Sequence, residues 1–222
     1  MYSDTTTSPQ DIILIKAGEL VLKGLNKGTF EDILLKNLRR SLAGVGEYRF
    51  SKAQSTIYVK PVDSGFDMDE ALKRVSRVFG IAAYSVARTA EKNMDDILRN
   101  TVDFMRDKLL NAKTFKVEAK RSDKSFELKS PEICAAAGRH ILRQFPHLKV
   151  DVHNPDVLIV IEIRDFGAYI HSRQLDGAGG MPVGSGGHAA LLISGGIDSP
   201  VAGYMMAKRG ISLTGIHFVS PP

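Results

Sequence analysis

Hydrophobic positions fall into alternating short apolar runs and helical stripes along most of the chain. Asp11–Lys16 encloses the apolar run Ile12–Ile15 between two charged residues and predicts a strand. Thr29–Leu42 places Phe30, Ile33, Leu34, Leu38 and Leu42 at helical spacing. Tyr48–Phe50 and Thr56–Val59 predict short strands. Met68–Phe79 predicts a helix with Leu72, Val75 and Phe79 on one face, and Ala82–Ala87 a further strand. A second block opens with the helical stripe Met94, Ile97, Leu98, Val102, Met105 and Leu109 within Asn93–Leu110. Phe115–Ala119 alternates as a strand, Pro131–Gln144 predicts a helix, and Val150–His153, Val157–Ile163 and Tyr169–Arg173 predict strands. Gly177 to Gly187 then holds six glycines and one proline, the composition of a linker or an ordered loop. A third block contains one strand at Ala190–Ile193, a helix from Val201 to Arg209 and a second strand at Ile211–Val219.

The order βαββαβ in the first block is that of a ferredoxin-like, split-βαβ domain, which by itself says little about function. The third block is too small to bury its own core, so the expectation is an N-terminal fragment of a longer protein or a broken gene product. At 222 residues, with 43% hydrophobic and 25% charged residues, the chain has an ordinary globular composition. The net charge of +5 favours polyanionic partners. The single cysteine, Cys134, excludes an internal disulfide, and its apolar surroundings predict a core thiol. Met1 to Gln10 lacks the pattern of a signal peptide, and no apolar run approaches a membrane span, so the expected location is cytoplasmic and away from membranes.

The densest chemistry lies at Ser194-Gly195-Gly196-Ile197-Asp198-Ser199-Pro200, between a predicted strand and a predicted helix. Two adjacent glycines let backbone approach an anion, and a helix N-terminus presents unpaired N–H groups to it. Pro200 suits the first helical position, which predicts Ser199 as the N-cap. A Walker A loop is excluded because no Gly-Lys-Ser/Thr occurs. The string resembles the PP-loop of N-type ATP pyrophosphatases, which split ATP between the α- and β-phosphates.

A broader resemblance covers nearly the whole chain. Ile12 to Leu20, Leu22-Lys23-Gly24, Asn26-Lys27, Phe30-Glu31 and Leu35-Lys36-Asn37 are similar to the opening of the tRNA 4-thiouridine synthetase (tRNA sulfurtransferase) family. Ala17 stands where that family usually has tyrosine. Phe115 to Arg121, Asn154-Pro155-Asp156-Val157 and Gly177 to Gly184 resemble the block that holds the family's THUMP domain. Leu191–Pro200, Tyr204-Met205-Met206, Lys208-Arg209-Gly210 and His217-Phe218 continue the match.

The resemblance implies an α/β chain in four parts. These are a ferredoxin-like domain over 1–89, a THUMP RNA-binding domain over 90–175, a Gly-rich linker over 176–187, and the start of a parallel α/β PP-loop domain over 188–222. It implies that Ser194, Gly195, Gly196 and Ser199 hold ATP phosphates, with Leu192, Ile193, His217 and Phe218 beside the nucleotide. Asp198 matches the family's essential acid, and a carboxylate beside phosphates calls for a cation, Mg²⁺. The segment Lys113–Arg143 holds eight Lys/Arg against four acids, and the THUMP resemblance marks Lys116, Lys120, Arg121, Lys124, Arg139 and Arg143 as contacts to the tRNA acceptor end. The implied partners are tRNA, a cysteine desulfurase as persulfide donor, and a sulfur-carrier protein of thiamine synthesis. Cys134 does not match the family's sulfur-carrying cysteines, so this chain alone is expected to lack the sulfur chemistry. Two rival readings are an RNA-binding module with a vestigial ATP motif and a PP-loop amide ligase acting on a small molecule.

Overall fold

The computed structural model describes residues 10–18, 27–53 and 55–219; the family-like positions among 19–26 lie outside them. In chain order the first elements are β1 (Asp11–Ala17), α1 (Lys27–Ser41), β2 (Tyr48–Ala53), β3 (Thr56–Pro61), α2 (Met68–Val75) and β4 (Ile81–Ala90). There follow α3 (Met94–Leu110), β5 (Thr114–Arg121), α4 (Ser130–Gln144), β6 (Lys149–Val150), β7 (Val157–Arg164), β8 (Gly167–His171) and β9 (Leu175–Asp176). The last elements are β10 (His188–Leu192), α5 (Asp198–Lys208) and β11 (Ser212–Ile216). Two compact units result: one comprises residues 13–84 and 175–222, the other 1–12 and 85–174.

In the first unit the strands run in the order β2-β3-β1-β4, with β1 and β2 antiparallel to β3. Ile13 and Ile15 of β1 pack with Leu34, Leu38 and Leu42 of α1 and with Ala71 and Val75 of α2. Asp67 caps α2 by accepting the Glu70 N–H at 2.9 Å. That helix ends at Val75, four residues earlier than its apolar spacing predicts. The next residues form a turn, with Val78 N–H on the Val75 carbonyl, that leads to Gly80 at φ 99° and frees Phe79 for another contact. Residues 177–187 are an ordered loop held by backbone hydrogen bonds on both sides.

In the second unit β4, β8, β7, β5 and β6 lie in that order, with β5 parallel to β7 and β8 antiparallel to β4 and β7. Phe115, Val117 and Ala119 of β5 face α3 and α4, where Ile97, Met105, Ile133, Ala137 and Ile141 complete the core. Asn93 caps α3 through the Asp96 N–H, and Glu132 reaches back to the Lys129 N–H at the start of α4. The strand predicted over Val150–His153 shrinks to Lys149–Val150. The Asp151 carboxylate accepts the N–H groups of His153 and Asn154, turning the chain out of the sheet and holding its own pKa below the usual carboxylate range. A polar network sits inside this unit: Glu162, 1% exposed, receives Arg164 at 2.7 Å and faces His171 Nε2 at 3.4 Å. His171 Nδ1–H donates to the Ser172 carbonyl at 2.7 Å, and Arg164 donates onward to Ser122 Oγ.

Candidate nucleotide and RNA sites

The phosphate-loop candidate joins β10 to α5. Strands β10 and β11 are parallel, from His188 opposite Ser212 to Leu192 opposite Ile216, and α5 packs on them. The approach is close: a Cβ at Gly203 would come within 2.8 Å of Leu191 Cδ2. Helix α5 begins at Asp198, one residue before the predicted Ser199 cap, with Ile197 in the N-cap position. An isoleucine has no acceptor to offer, so no side-chain cap covers this helix N-terminus. Ser199 bonds elsewhere, its Oγ accepting the Ser194 N–H at 3.3 Å, while Ser194 Oγ accepts the Gly196 N–H at 3.3 Å. The two hydroxyls thereby fold the loop on itself and stay at its surface.

Space above Gly195 is open, with no atom within 4 Å of the position a Cβ would take. Asp198 is exposed in the first turn of α5. His217 Nδ1–H donates to the Ile193 carbonyl at 2.9 Å, which fixes the ring beside the loop and leaves Nε2 outward. Leu192 and Phe218 are 63% and 79% exposed, and Ile193 is also exposed. The structure thus brings Leu192, Ile193, Ser194, Gly195, Gly196, Asp198, Ser199 and His217 to one end of the two strands. Uncapped N–H groups, two hydroxyls and open space form a donor set that fits a triphosphate. Asp198 presents one carboxylate at this end of the strands; among the described residues no group of three or more His, Cys, Asp or Glu could hold a metal by itself.

The RNA candidates do not form one patch. Lys116 pairs with Glu118 at 2.8 Å on the face of β5 away from the helices. Lys120 is exposed near the end of β5 and Lys124 just beyond it, and neither makes an ion pair among the described residues. Arg121 turns inward, donating to the carbonyls of Lys124, Phe126 and Leu128, so it shapes the loop after β5. Asp123 in that loop receives Lys92 at 2.6 Å and Ser125, which hold its carboxyl far below the usual range. Arg139 and Arg143 are exposed on α4, which covers the other face of the sheet.

Two features escaped sequence reasoning. Phe166 is 85% exposed at the β7–β8 turn, and a cavity of about 250 Å³ lies among Lys116, Glu118, His153, Asp156, Ser172 and Arg173. A phenylalanine inside the tight Asp165-Phe166-Gly167 turn was the available signal for the first. The second is assembled from three separated segments and left no local signal. Cys134 is half-buried on α4, where burial pushes its thiol up.

A ThiI ferredoxin-like domain matches residues 12–85, a THUMP domain residues 91–172, and the thiamine biosynthesis protein (ThiI) family residues 184–222. A probable tRNA sulfurtransferase of Acetivibrio thermocellus is 47% identical over 214 residues, which cover 95% of this chain and 54% of the relative. Another, from Thermoanaerobacter pseudethanolicus, is 44% identical over 213 residues, covering 96% and 54%. The chain therefore spans about half the length of the curated relatives it matches. The crystal structure of a 4-thiouridine synthetase–RNA complex with bound ATP superposes with a TM-score of 0.85 at 34% identity, over 96% of this chain and 54% of that one. PH1313 from Pyrococcus horikoshii superposes with a TM-score of 0.82 at 29% identity, over 93% and 69%. Three family segments in one order, on the fold of that synthetase, make the chain similar over nearly its whole length to members of the tRNA sulfurtransferase (ThiI) family.

Proposed function

We propose that this chain supplies the RNA-holding and phosphate-binding parts of an ATP-dependent tRNA sulfurtransferase. The observation that carries the reading is the uncapped N-terminus of α5 behind the Ser194–Ser199 loop, joined in one chain to a THUMP segment. In the proposed reaction O4 of uridine 8 attacks the α-phosphorus of ATP, and pyrophosphate leaves. The terminal persulfide sulfur then attacks C4 and displaces AMP, and a second thiol attacks the carrier sulfur, breaking the S–S bond to release 4-thiouridine and leave a disulfide. The loop N–H groups and the Ser194 and Ser199 hydroxyls hold the phosphates. Mg²⁺, when bound, neutralises phosphate charge, and Asp198 is the residue that would hold it. Leu192, Ile193, His217 and Phe218 border the base.

The sulfur donor is a cysteine desulfurase, and transfer toward the thiazole of thiamine runs through a sulfur-carrier protein. The setting is the cytoplasm; among the described residues no helix is long and apolar enough to cross a membrane. The reading is tested by thiolation of tRNA with ATP, Mg²⁺ and a persulfide donor. A chimera of residues 1–222 with the second half of the Acetivibrio thermocellus relative is expected to make 4-thiouridine. Residues 1–222 alone are expected to make none, because Cys134 is half-buried with a raised pKa and is unsuited to carry persulfide sulfur. An inactive chimera that still folds, or an active short chain, would count against this division of labour.

Binding of tRNA is expected to rest on exposed cations of the THUMP unit. Lys120 and Lys124 are free to reach phosphates, whereas Arg121 is committed to three carbonyls. Replacing both lysines with alanine should flatten the slope of log K against log salt by roughly 1.4 to 1.8, at about 0.7–0.9 per phosphate contact. Different tRNAs should weaken alike. A salt titration with an unchanged slope would move the RNA surface elsewhere, with Arg139 and Arg143 on α4 the next pair to test.

A further inference from the structure

The Gly-rich segment 177–187 has the composition of a flexible tether and the contacts of a clamp. On one side, Gly177 and Gly179 donate to the carbonyls of Ala82 and Ile81 at 2.8 Å, and Gly80 donates to Gly179 at 2.8 Å. On the other, Met181 donates to the Lys208 carbonyl at 2.9 Å, and Gly184 and Gly186 both donate to the Gly210 carbonyl at 2.8 Å. Side chains add to this: Asn37 Nδ2 donates to the Val183 carbonyl at 3.0 Å, Met181 packs on the ferredoxin-like core, and Phe79 meets Tyr204 of α5 edge-on at 5.2 Å.

These contacts converge on the C-terminal end of α5, whose N-terminal end carries the phosphate loop. Eleven residues separate the ends by roughly 16 Å of stiff helix. We infer that the clamp fixes the phosphate loop in place on the ferredoxin-like body, with Gly180 as its positioning residue. Gly180 has φ +69°, and a Cβ there would overlap the Lys208 carbonyl oxygen at the end of α5. This rests on the reading of the loop as the ATP phosphate site. The geometric part does not need it.

Gly179 provides the control. It has φ +64°, nearly the same backbone, but nothing within 4 Å of its Cβ position. Alanine at either position carries the same left-handed strain, so any difference between the two isolates the close approach to α5. In the parent chain, hydrogen exchange at the Met181, Gly184 and Gly186 amides should be at least about 100-fold slower than in unstructured chain. Gly180→Ala should cost these amides at least about tenfold of that protection, with Ile13–Ile15 unaffected, while Gly179→Ala should not.

In the chimera, Gly180→Ala should raise KM for ATP about tenfold or lower kcat through loop misplacement, with tRNA affinity unchanged. Fast exchange of these amides in the parent would overturn the inference, as would identical behaviour of the two variants. If Gly180→Ala does not fold, Asn37→Ala decides: faster exchange confined to 181–186 supports the clamp, and no change refutes it. A parent chimera that binds no ATP while its clamp amides stay protected would sink the nucleotide reading and leave the clamp standing.

Discussion

Asp198→Ala in the chimera should lower ATP-dependent 4-thiouridine formation by about 10²–10³-fold, the scale on which a single preorganised charge-stabilising group acts. Its tRNA affinity should stay within about twofold of the parent, because the phosphate loop and the exposed THUMP lysines lie in different compact units. Asp198 opens α5 and is exposed in its first turn, at the helix end that no side chain caps. Next to a triphosphate that negative charge is unfavourable unless a cation lies between them, so in the proposed role its removal would take away a cation ligand. Asp198→Asn keeps the shape and should be nearly as defective. Formation of 4-thiouridine by Asp198→Ala at more than a tenth of the parent rate would remove Asp198 from this role.

Glu162→Ala should destabilise the THUMP unit by about 3–5 kcal/mol, the cost of removing one member of a buried ion pair and leaving its partner uncompensated. Arg164 is the partner, with a side chain only 14% exposed, and it also holds Ser122 at the start of the loop that carries Lys124. Loss of Glu162 should therefore loosen that loop as well as the sheet. Glu162→Gln, which keeps one acceptor oxygen but not the charge, should cost less. Urea unfolding of the three proteins measures this, and a change below about 1 kcal/mol for Glu162→Ala would place the network outside the cooperative core.

The elements easiest to read in the sequence were those whose apolar pattern and burial coincide. The run Ile12–Ile15 is wholly buried, and Phe115, Val117 and Ala119 alternate inward as their spacing indicates. Misreadings arose where side chains replaced the backbone as hydrogen-bond partners. Asp151 stole two amides from a strand, and Ser199 accepted the Ser194 amide instead of capping α5. Positive charge was equally ambiguous. Lys116, Arg121 and Lys124 look alike in a basic segment, yet one is ion-paired, one is turned onto carbonyls and one is free. Composition records that a residue is charged, not which neighbour the fold brings to it.

Chain order and unit order do not coincide, and this has a consequence for assembly. Residues 85–174 are inserted between the two stretches of the other unit, whose β4 residue Ala83 must pair with Asp176 of β9. Closing so long a loop of unstructured chain costs about 4 kcal/mol by the (3/2)RT ln n rule. Within the inserted unit, however, β4 pairs with β8, placing Ala87 opposite His171. Once that unit has folded, only a few residues remain to be closed on either side of it, and most of the penalty has already been met. A folded insert would therefore hold the two distant segments near each other and lower the cost of pairing them.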